Sequence, residues 1–388
     1  MMTNTRRVYL DFNASTPLAP EVVSAMEPLL REHYGNPSSQ HWAGRPARVV
    51  VDEARAEVAA LLNAAPHEIV FTSGGTEANN HAIKGIVFRR GIVGANVEGA
   101  HIVTTQIEHP AVLEPCRFLE RLGATVTRLA VDSTGMVDPD EVRRALSRRT
   151  ALVSVMHANN EVGTIEPIAE IARITREHGV PFHVDAAQSV GKIDADVQRL
   201  GADLLSVAGH KLYAPKGVGA LYVRDTLAVP LEVEPLMHGA GHEAGRRAGT
   251  ENVLLTAGLG AACRLARQDP CGDRLQQLTA FLWNRLQTEL GDAVILNGHP
   301  TERLPNTLNV SFRHQTSHEL LPRLDGVAAS AGSACHAGTT SMSPVLTAMG
   351  VRPEIGLGAI RFSVGRTTTS EDLEYVVEQL KRHVPTRH

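Results

Sequence analysis

Short runs of β-branched and aliphatic residues alternate with longer amphipathic segments through the central part of the chain. The amphipathic segments 111–122, 139–146 and 167–178 begin near a proline or after Asp or Asn, and several end at glycine, as helices do. This alternation predicts an α/β fold with a large, doubly wound and mostly parallel seven-stranded sheet that helices cover on both faces. The last two runs are too close in sequence for a helical crossover, so we expect one antiparallel pairing there. The predicted strands are residues 69–72, 101–105, 125–129, 151–156, 181–185, 203–207 and 218–223.

The pattern changes after about residue 267. A charged amphipathic helix over 273–290, short strands at 307–312 and 359–363, and a final helix over 370–383 predict a smaller α+β unit. A length of 388 residues allows two to three domains. We therefore predict a large domain over residues 18–267 and a small one formed by 1–17 together with 268–388.

Composition excludes several classes of protein. The net charge of −4 is too balanced for a broad nucleic-acid-binding face. The four cysteines include no CxxC pair or tight Cys/His group, so neither a zinc site nor a disulfide-stapled secreted domain is favoured. No secretory signal is visible, and no apolar run approaches the ~20 residues that span a bilayer. We expect a cytoplasmic protein with no resident metal.

Lysine is scarce, which limits where amine chemistry can occur. Only five of the 38 basic residues are lysines. Lys211 follows a predicted strand within GHKLYAPKG (209–217), an irregular segment next to His210 and Pro215. A lysine at such a strand end can carry pyridoxal phosphate, although most lysines are simply exposed. Lys216 is the only close rival.

Two further segments place polar chemistry at strand ends. In FTSGGTEANN (71–80) a strand leads through Gly75 and Thr76 into a helix, an arrangement that suits an anion but also describes an ordinary turn. In HVDAAQS (183–189), Asp185 ends a strand, where open α/β sheets place ligands. It is suited to pairing with a protonated ring nitrogen or, equally, to capping a helix.

These segments occur in an order that resembles the NifS/IscS-type cysteine desulfurases. These enzymes are group I members of the class V aminotransferase family, within the fold-type I pyridoxal-phosphate enzymes. The resemblance covers nearly the full length of the chain. It rests on YLDFNASTP (9–17), GNPSS (35–39), FTSGGTE (71–77), EHPAV (108–112), HANNEVGT (157–164), HVDAAQS (183–189), GHKLYAPKG (209–217), RAGTEN (247–252) and IRFSVGR (360–366).

The resemblance implies roles for the cofactor-binding residues. Lys211 would hold pyridoxal phosphate as a Schiff base and act as a general acid and base. Asp185 would pair with the pyridinium nitrogen, Gln188 would contact the phenolate oxygen, and His109 would stack on the ring as a catalytic residue. The phosphate would be bound by Gly75, Thr76 and His210, with Thr250 reaching across from the partner subunit of a homodimer. Ala208 stands where housekeeping members carry a serine, so one phosphate-binding hydroxyl is missing.

The resemblance also implies how the substrate L-cysteine is bound. Arg361 would clamp its carboxylate with two parallel hydrogen bonds, and Asn160 and Asn13 would complete the substrate site. Cys335, in the segment SAGSACHAG (330–338), matches the SGSAC motif of the group I enzymes as AGSAC. Its thiolate would attack the substrate sulfur and retain it as a persulfide, although outside this family a buried, inert cysteine is the commoner case.

The predicted function is therefore the conversion of L-cysteine to L-alanine, with sulfur passed from Cys335 to an acceptor protein or a small thiol, as in iron–sulfur cluster assembly. The few residues after His383 leave the usual scaffold partner in doubt. Selenocysteine lyase activity, another class V reaction such as transamination, and a cofactor-free regulatory role are the alternatives. Comparing alanine release from cysteine with that from selenocysteine distinguishes the lyase alternative. An absorbance spectrum of the purified protein tests the cofactor-free role.

Overall fold

The computed structural model describes residues 6–92, 97–226, 229–332 and 341–385. A seven-stranded sheet lies at its centre, in the order β2-β8-β7-β6-β5-β3-β4. Apolar side chains fill the spaces on both faces of this sheet, and β5 is buried along its whole length. The strands are β1 (Val8–Tyr9), β2 (Ile69–Thr72), β3 (His101–Thr105), β4 (Thr125–Leu129), β5 (Thr150–Met156), β6 (Phe182–Asp185), β7 (Leu204–Ala208), β8 (Gly219–Val223), β9 (Asp225–Thr226), β10 (Val229–Pro230), β11 (Val294–Asn297), β12 (Thr307–Phe312), β13 (Val327–Ala328) and β14 (Ala359–Ser363).

Helices cover the sheet and build the C-terminal unit. Helix α6 is amphipathic and buries Ile168, Ile171 and Ile174, which is the spacing of one helical face. The helices are α1 (Pro20–Met26), α2 (Gly44–Leu62), α3 (Gly75–Ile92), α4 (Pro110–Glu120), α5 (Pro139–Ala145), α6 (Ile168–Glu177), α7 (Val197–Leu200), α8 (Val253–Gln268), α9 (Gly272–Leu290), α10 (Ser317–Leu320), α11 (Pro344–Ala348), α12 (Pro353–Gly356) and α13 (Ser370–His383).

The expected strand reversal is present. Strand β8 pairs antiparallel with β7 on one side and with β2 on the other, while β3, β4, β5, β6 and β7 pair in parallel. Because β8 separates β2 from β7 and runs opposite to both, those two strands point the same way. The turns after β2, β6 and β7 therefore meet at one edge of the sheet, where open α/β folds place ligands.

A second core lies in the C-terminal unit. Strands β11, β12 and β14 form an antiparallel sheet, against which α9 and α13 pack. Its apolar cluster joins Val8 and Leu10 to residues between Cys271 and Val384. This clustering of the N-terminal strand with C-terminal residues favours the predicted domain boundaries, which stay a prediction. No helix within the described ranges is long and apolar enough to cross a membrane.

Candidate active site

A cavity of about 540 Å³ opens at the edge of the sheet where these turns meet. A larger, more open cavity of about 690 Å³ lies between α2 and the loop around His242, and no predicted site residue lines it. Because ten of the twelve predicted site residues line the smaller cavity, we take it as the candidate site. Those residues are Asn13, Gly75, Thr76, His109, Asn160, Asp185, Gln188, His210, Lys211 and Arg361.

The other two predicted residues lie elsewhere. Thr250 is exposed, in the segment between β10 and α8. Cys335 falls within residues 333–340, outside the described part of the chain. The structure therefore brings together the predicted cofactor- and amino-acid-binding residues but does not test the placement of the predicted nucleophile.

Lys211 is held at the cavity by a short 3-10 turn, Gly209–Lys211, directly after β7. A Cβ atom on Gly209 would lie 2.8 Å from the carbonyl oxygen of Val218, so this tight turn requires glycine. The Lys211 ammonium donates to the carbonyl oxygen of Ala14 across 2.8 Å and to that of Asn13. Lys216, the rival lysine, lines the same cavity, so the structure leaves a choice between two amines.

Asp185 lies at the end of β6 and is nearly buried. Its Oδ2 accepts a hydrogen bond from Nδ2 of Asn79 across 2.7 Å, and its Oδ1 accepts one from the backbone N–H of Ala187 across 3.0 Å. Two donors stabilise the ionised carboxylate, which is the form that pairs with a protonated ring nitrogen. The Ala187 contact resembles a helix cap, but turns rather than a helix follow it.

The turn after β2 forms a cradle at the start of helix α3. Gly74 has φ +147°, a conformation that favours glycine, and a Cβ atom on Gly75 would lie 3.2 Å from the Cβ of Ala208. The first turn of a helix this long presents backbone N–H groups to an anion, and Thr76 adds a hydroxyl. Burial lowers the pKa of His210, on the facing turn, to about 4, and the nearby lysine ammonium groups act in the same direction. His210 is therefore neutral at pH 7 and offers a hydrogen bond rather than a charge.

His109 caps helix α4, and this contact fixes its tautomer. Its Nδ1 accepts a hydrogen bond from the backbone N–H of Ala111 across 3.1 Å, so the proton of the neutral ring lies on Nε2. Burial lowers the pKa of His109; Lys211 lowers it further, whereas Asp185 opposes the shift. The ring is thus a flat, uncharged group on the cavity wall, which suits stacking on an aromatic ring.

Gln188 has both ends of its amide engaged. Its Nε2 donates to the carbonyl oxygen of Asn13 across 3.0 Å, and its Oε1 accepts from Nζ of Lys192 across 2.9 Å. The same Asn13 oxygen accepts from Lys211. The Gln188 donor and the Lys211 amine are therefore neighbours.

The cavity is also lined by a buried arginine. Arg361 lies on β14 and is 2% exposed. Its Nη2 donates to Oδ1 of Asp11 across 2.7 Å and its Nη1 to the carbonyl oxygen of Asn160 across 2.8 Å. Its Nε is buried without a hydrogen-bond partner. A buried guanidinium with an unused N–H at a cavity is suited to an anionic ligand such as a carboxylate.

The Asn13 side chain is engaged by protein groups, including the Asn160 carbonyl oxygen that Arg361 also binds. Its Nδ2 donates to Oγ1 of Thr307 across 2.8 Å, and its Oδ1 accepts from Nδ2 of Asn306 across 2.9 Å. These contacts fix the N-terminal segment against the C-terminal unit. Asn13 faces the Lys211 amine through its backbone carbonyl, so its predicted role in binding the substrate through the side chain stays a prediction.

Three residues that contact the predicted site residues were not identified from the sequence. Each forms a hydrogen bond with one of them: Asn79 with Asp185, Asp11 with Arg361, and Lys192 with Gln188. Asp11 lies inside the YLDFNASTP motif and Asn79 inside FTSGGTEANN, so the motifs contained a signal for both. Lys192 follows Gly191 in a loop, and its sequence context contains no signal of this role.

The cavity fits pyridoxal phosphate by the chemistry of its donor set. It combines an anion cradle, a carboxyl group held by two donors, a flat neutral ring and a primary amine next to an amide donor. Each of these groups complements a different part of that cofactor. No cluster of three or more His, Cys, Asp or Glu residues suited to a metal occurs in the part of the chain described.

Comparison with known proteins agrees with this geometry. The family described as "Aminotransferase class-V" matches residues 8–376. The chain is 48% identical over 381 residues to "Cysteine desulfurase IscS" of Dictyoglomus turgidum, covering 97% of this chain and 94% of that protein. The chain belongs to the class V aminotransferases, among the NifS/IscS-type cysteine desulfurases.

Solved structures of similar proteins confirm the fold of this NifS/IscS-type chain. A "NIFS-LIKE PROTEIN" superimposes with a TM-score of 0.88 at 36% identity, covering 97% of this chain and 98% of that one. "SspA in complex with cysteine" gives a TM-score of 0.81 at 38% identity, covering 92% and 98% respectively. The predicted fold-type I architecture, with its large and mostly parallel sheet, is therefore confirmed.

In this NifS/IscS-type protein, both described flanks of the predicted nucleophile segment are attached near Arg361 and Asn160. Ser330 and Arg361 exchange backbone hydrogen bonds of 3.2 and 2.7 Å. On the far side, Oγ of Ser343 donates to Oε2 of Glu161 across 2.5 Å. Glu161 directly follows Asn160, so both flanks are attached beside the arginine wall of the cavity.

Proposed function

We propose that this protein is a pyridoxal-phosphate-dependent cysteine desulfurase that converts L-cysteine to L-alanine and transfers the sulfur to Cys335. One observation carries the proposal: an amine, a carboxylate, an amide donor and a buried arginine all line a single cavity. A related protein whose structure is described as a complex with cysteine shares this fold.

Bound pyridoxal phosphate supplies an electron sink that stabilises negative charge at the carbon next to the substrate amine. Lys211 would hold the cofactor, and its Nζ would take the Cα proton of the substrate. Asp185, oriented by its two donors, would pair with the protonated ring nitrogen. His109 stacks on the ring, and Gln188 donates to the phenolic oxygen. Gly75, Thr76 and His210 bind the phosphate.

Arg361 binds the substrate carboxylate through its free N–H groups while Asp11 and the Asn160 carbonyl hold the guanidinium in place. An arginine fork defines the direction of a carboxylate, so this contact orients the amino group and the sulfur within the cavity. Once the carboxylate is fixed by Arg361, the position of the substrate sulfur within the cavity is fixed as well.

Cys335 accepts the sulfur as a persulfide. Its thiolate forms an S–S bond with the substrate sulfur as the Cβ–S bond breaks, and that bond's electron pair stays with the carbon skeleton. Protonation of the skeleton completes alanine. The attachment of Ser330 to Arg361 and of Ser343 to Glu161 supports this role, because both flanks begin at the substrate end of the cavity.

A homodimer completes the phosphate site through Thr250 of the partner subunit. In one subunit Thr250 is exposed, and large apolar side chains are exposed at Leu30, Tyr34 and Trp42. Exposed aromatic groups of this size are typical of surfaces that a partner covers. We place the protein in the cytoplasm, delivering sulfur to an acceptor protein or a small thiol for iron–sulfur cluster assembly.

The test measures alanine and sulfide from L-cysteine with and without a reductant. We expect about one alanine per subunit without reductant and repeated turnover with it, because the persulfide must be cleared before the next cycle. Cys335→Ala should abolish alanine release and retain the visible absorbance of the cofactor. Cys116→Ala is the matched control, since burial raises the pKa of Cys116 to about 12 and removes it as a nucleophile.

Unchanged alanine release by Cys335→Ala would disprove the role of this thiol. Selenocysteine supplied at the same concentration tests the lyase alternative. A protein without visible absorbance after incubation with pyridoxal phosphate would refute the proposed cofactor.

A further inference from the structure

The hydrogen bond between Lys192 and Gln188 fixes the direction of an amide in the cavity wall. The Nζ of Lys192 donates to the Gln188 carbonyl oxygen Oε1 across 2.9 Å. The other end of the amide, Nε2, then faces the Asn13 carbonyl oxygen, which also accepts from Lys211. Lys192 at one end and the Asn13 carbonyl at the other therefore hold Gln188 so that it presents a donor, rather than an acceptor, beside the Lys211 amine.

The position of that donor has a chemical meaning in pyridoxal phosphate. In this cofactor, the phenolic oxygen and the aldehyde carbon that bonds to a lysine are attached to neighbouring ring carbons. The oxygen must therefore lie near the Lys211 nitrogen. An acceptor there would repel an anionic oxygen, whereas a donor stabilises it. Without Lys192, the Gln188 amide would keep only the Asn13 contact and would be held less firmly in this orientation.

The surroundings of Lys192 are mostly cationic. Burial lowers its pKa to about 7; Lys211 and Arg361 act in the same direction, and Cys271 opposes them. An anionic oxygen bound beside Gln188 would offset this concentration of positive charge. The positive charge around Lys192 and the orientation of Gln188 thus both favour an anionic oxygen at this position.

We propose that Lys192 is a positioning residue, which holds Gln188 so that its amide donates to the anionic phenolic oxygen of pyridoxal phosphate. The inference deepens the proposed function and rests on its assignment of Gln188. Lys192 acts through Gln188, without touching the substrate.

The test is a pH titration of the visible absorbance of the cofactor-loaded protein. The midpoint reports how well the site stabilises the anionic oxygen, and loss of a stabilising donor or charge raises it. We expect Lys192→Met to raise the midpoint by about one pH unit. Gln188→Ala should raise it at least as much, and the double variant no more than Gln188→Ala alone. Lys381→Met is the matched control, since this lysine pairs with Glu289 and Glu378 on the surface.

An unshifted midpoint in Lys192→Met, or shifts that add in the double variant, would overturn the inference. If Lys192→Met does not retain the cofactor, Lys192→Arg decides, because arginine keeps the charge and the donor. Its midpoint should stay close to that of the unmodified protein, and a shift as large as that of Gln188→Ala overturns the proposal. A missing absorbance band in the unmodified protein instead refutes the proposed function, and this inference with it.

Discussion

The side-chain amide of Asn79 donates to Oδ2 of Asp185 across 2.7 Å, and both side chains are buried. Asn79 lies in the first turns of α3 and Asp185 at the end of β6, so this bond joins the anion cradle to the carboxylate. Loss of this donor leaves the Asp185 carboxylate less firmly oriented toward a protonated ring nitrogen.

We predict that Asn79→Ala weakens the binding of pyridoxal phosphate about tenfold, the usual effect of losing a hydrogen bond to a buried charge. Fluorescence titration of the cofactor-free protein with pyridoxal phosphate measures it. Asn80→Ala is the control, since Asn80 donates to the carbonyl oxygen of Thr76 within the helix. Equal affinities for the two variants would contradict a supporting role for Asn79.

The two lysines of the cavity can be distinguished by substitution. Lys211→Ala should eliminate the visible absorbance that accompanies covalent binding of pyridoxal phosphate, because Lys211 follows β7 and faces the Gln188 donor. Lys216→Ala should retain it. Absorbance spectra of both variants, with mass spectrometry after borohydride reduction, measure this difference. A label on Lys216 in the unmodified protein would reverse the assignment.

The clamp on the substrate carboxylate depends on the fork geometry of arginine. Arg361→Lys keeps the charge but cannot bind Asp11, the Asn160 carbonyl and a carboxylate at once. We predict a rise of about tenfold or more in KM for L-cysteine with a smaller change in kcat, measured as alanine formation. Arg313→Lys, at an exposed site, is the control. An unchanged KM would show that the carboxylate binds elsewhere.

Glu108 couples the stability of the protein to pH. Its Oε1 accepts hydrogen bonds from Thr105 and from the Met156 backbone, yet complete burial raises its pKa to about 8. A carboxyl group whose folded pKa lies above its unfolded value contributes stability at low pH. That contribution is lost as the pH rises from about 4.5 to about 8.

Glu108→Gln removes this titration. We predict that the stability of the variant relative to the unmodified protein, measured by urea unfolding without cofactor, is greater at pH 8 than at pH 5 by about 3–4 kcal/mol. Glu114→Gln, which alters the exposed partner of Arg117, should show no such difference. A constant difference between the Glu108 variant and the unmodified protein at both pH values would show that Glu108 is ionised throughout.

The sheet was predictable because its strands are buried on both sides. Continuous β-branched runs between glycine and proline turns placed β2, β3 and β4 at their observed bounds, and the short connection to β8 predicted its reversal. Helices α2 and α8 were not assigned. They pack so closely that a Cβ atom on Gly260 would lie 2.6 Å from the Cα of Ala54. Tertiary contact thus compensates for the weak helix propensity of the glycines in α8.

The motifs identified the residues of the candidate cavity, but not the contacts that orient them. Asn79 and Asp185 are 106 residues apart, and an asparagine early in a helix resembles a surface residue. The orientation of the Gln188 amide depends on Lys192, whose sequence context is an ordinary loop. Such relationships depend on three-dimensional packing, which a single sequence does not display.

The position of β8 has a consequence for protein synthesis. This strand is the last of the large sheet to leave the ribosome, yet it lies between β2 and β7, pairing Ile69 with Tyr222. Until residue 223 has emerged, the Gly74 turn and the Lys211 turn lack the strand that joins them. Arg361 and its partner Asp11 meet only when the two ends of the chain come together. The cofactor-binding turns can therefore form before Arg361 joins them, so the substrate-binding part of the site is completed last.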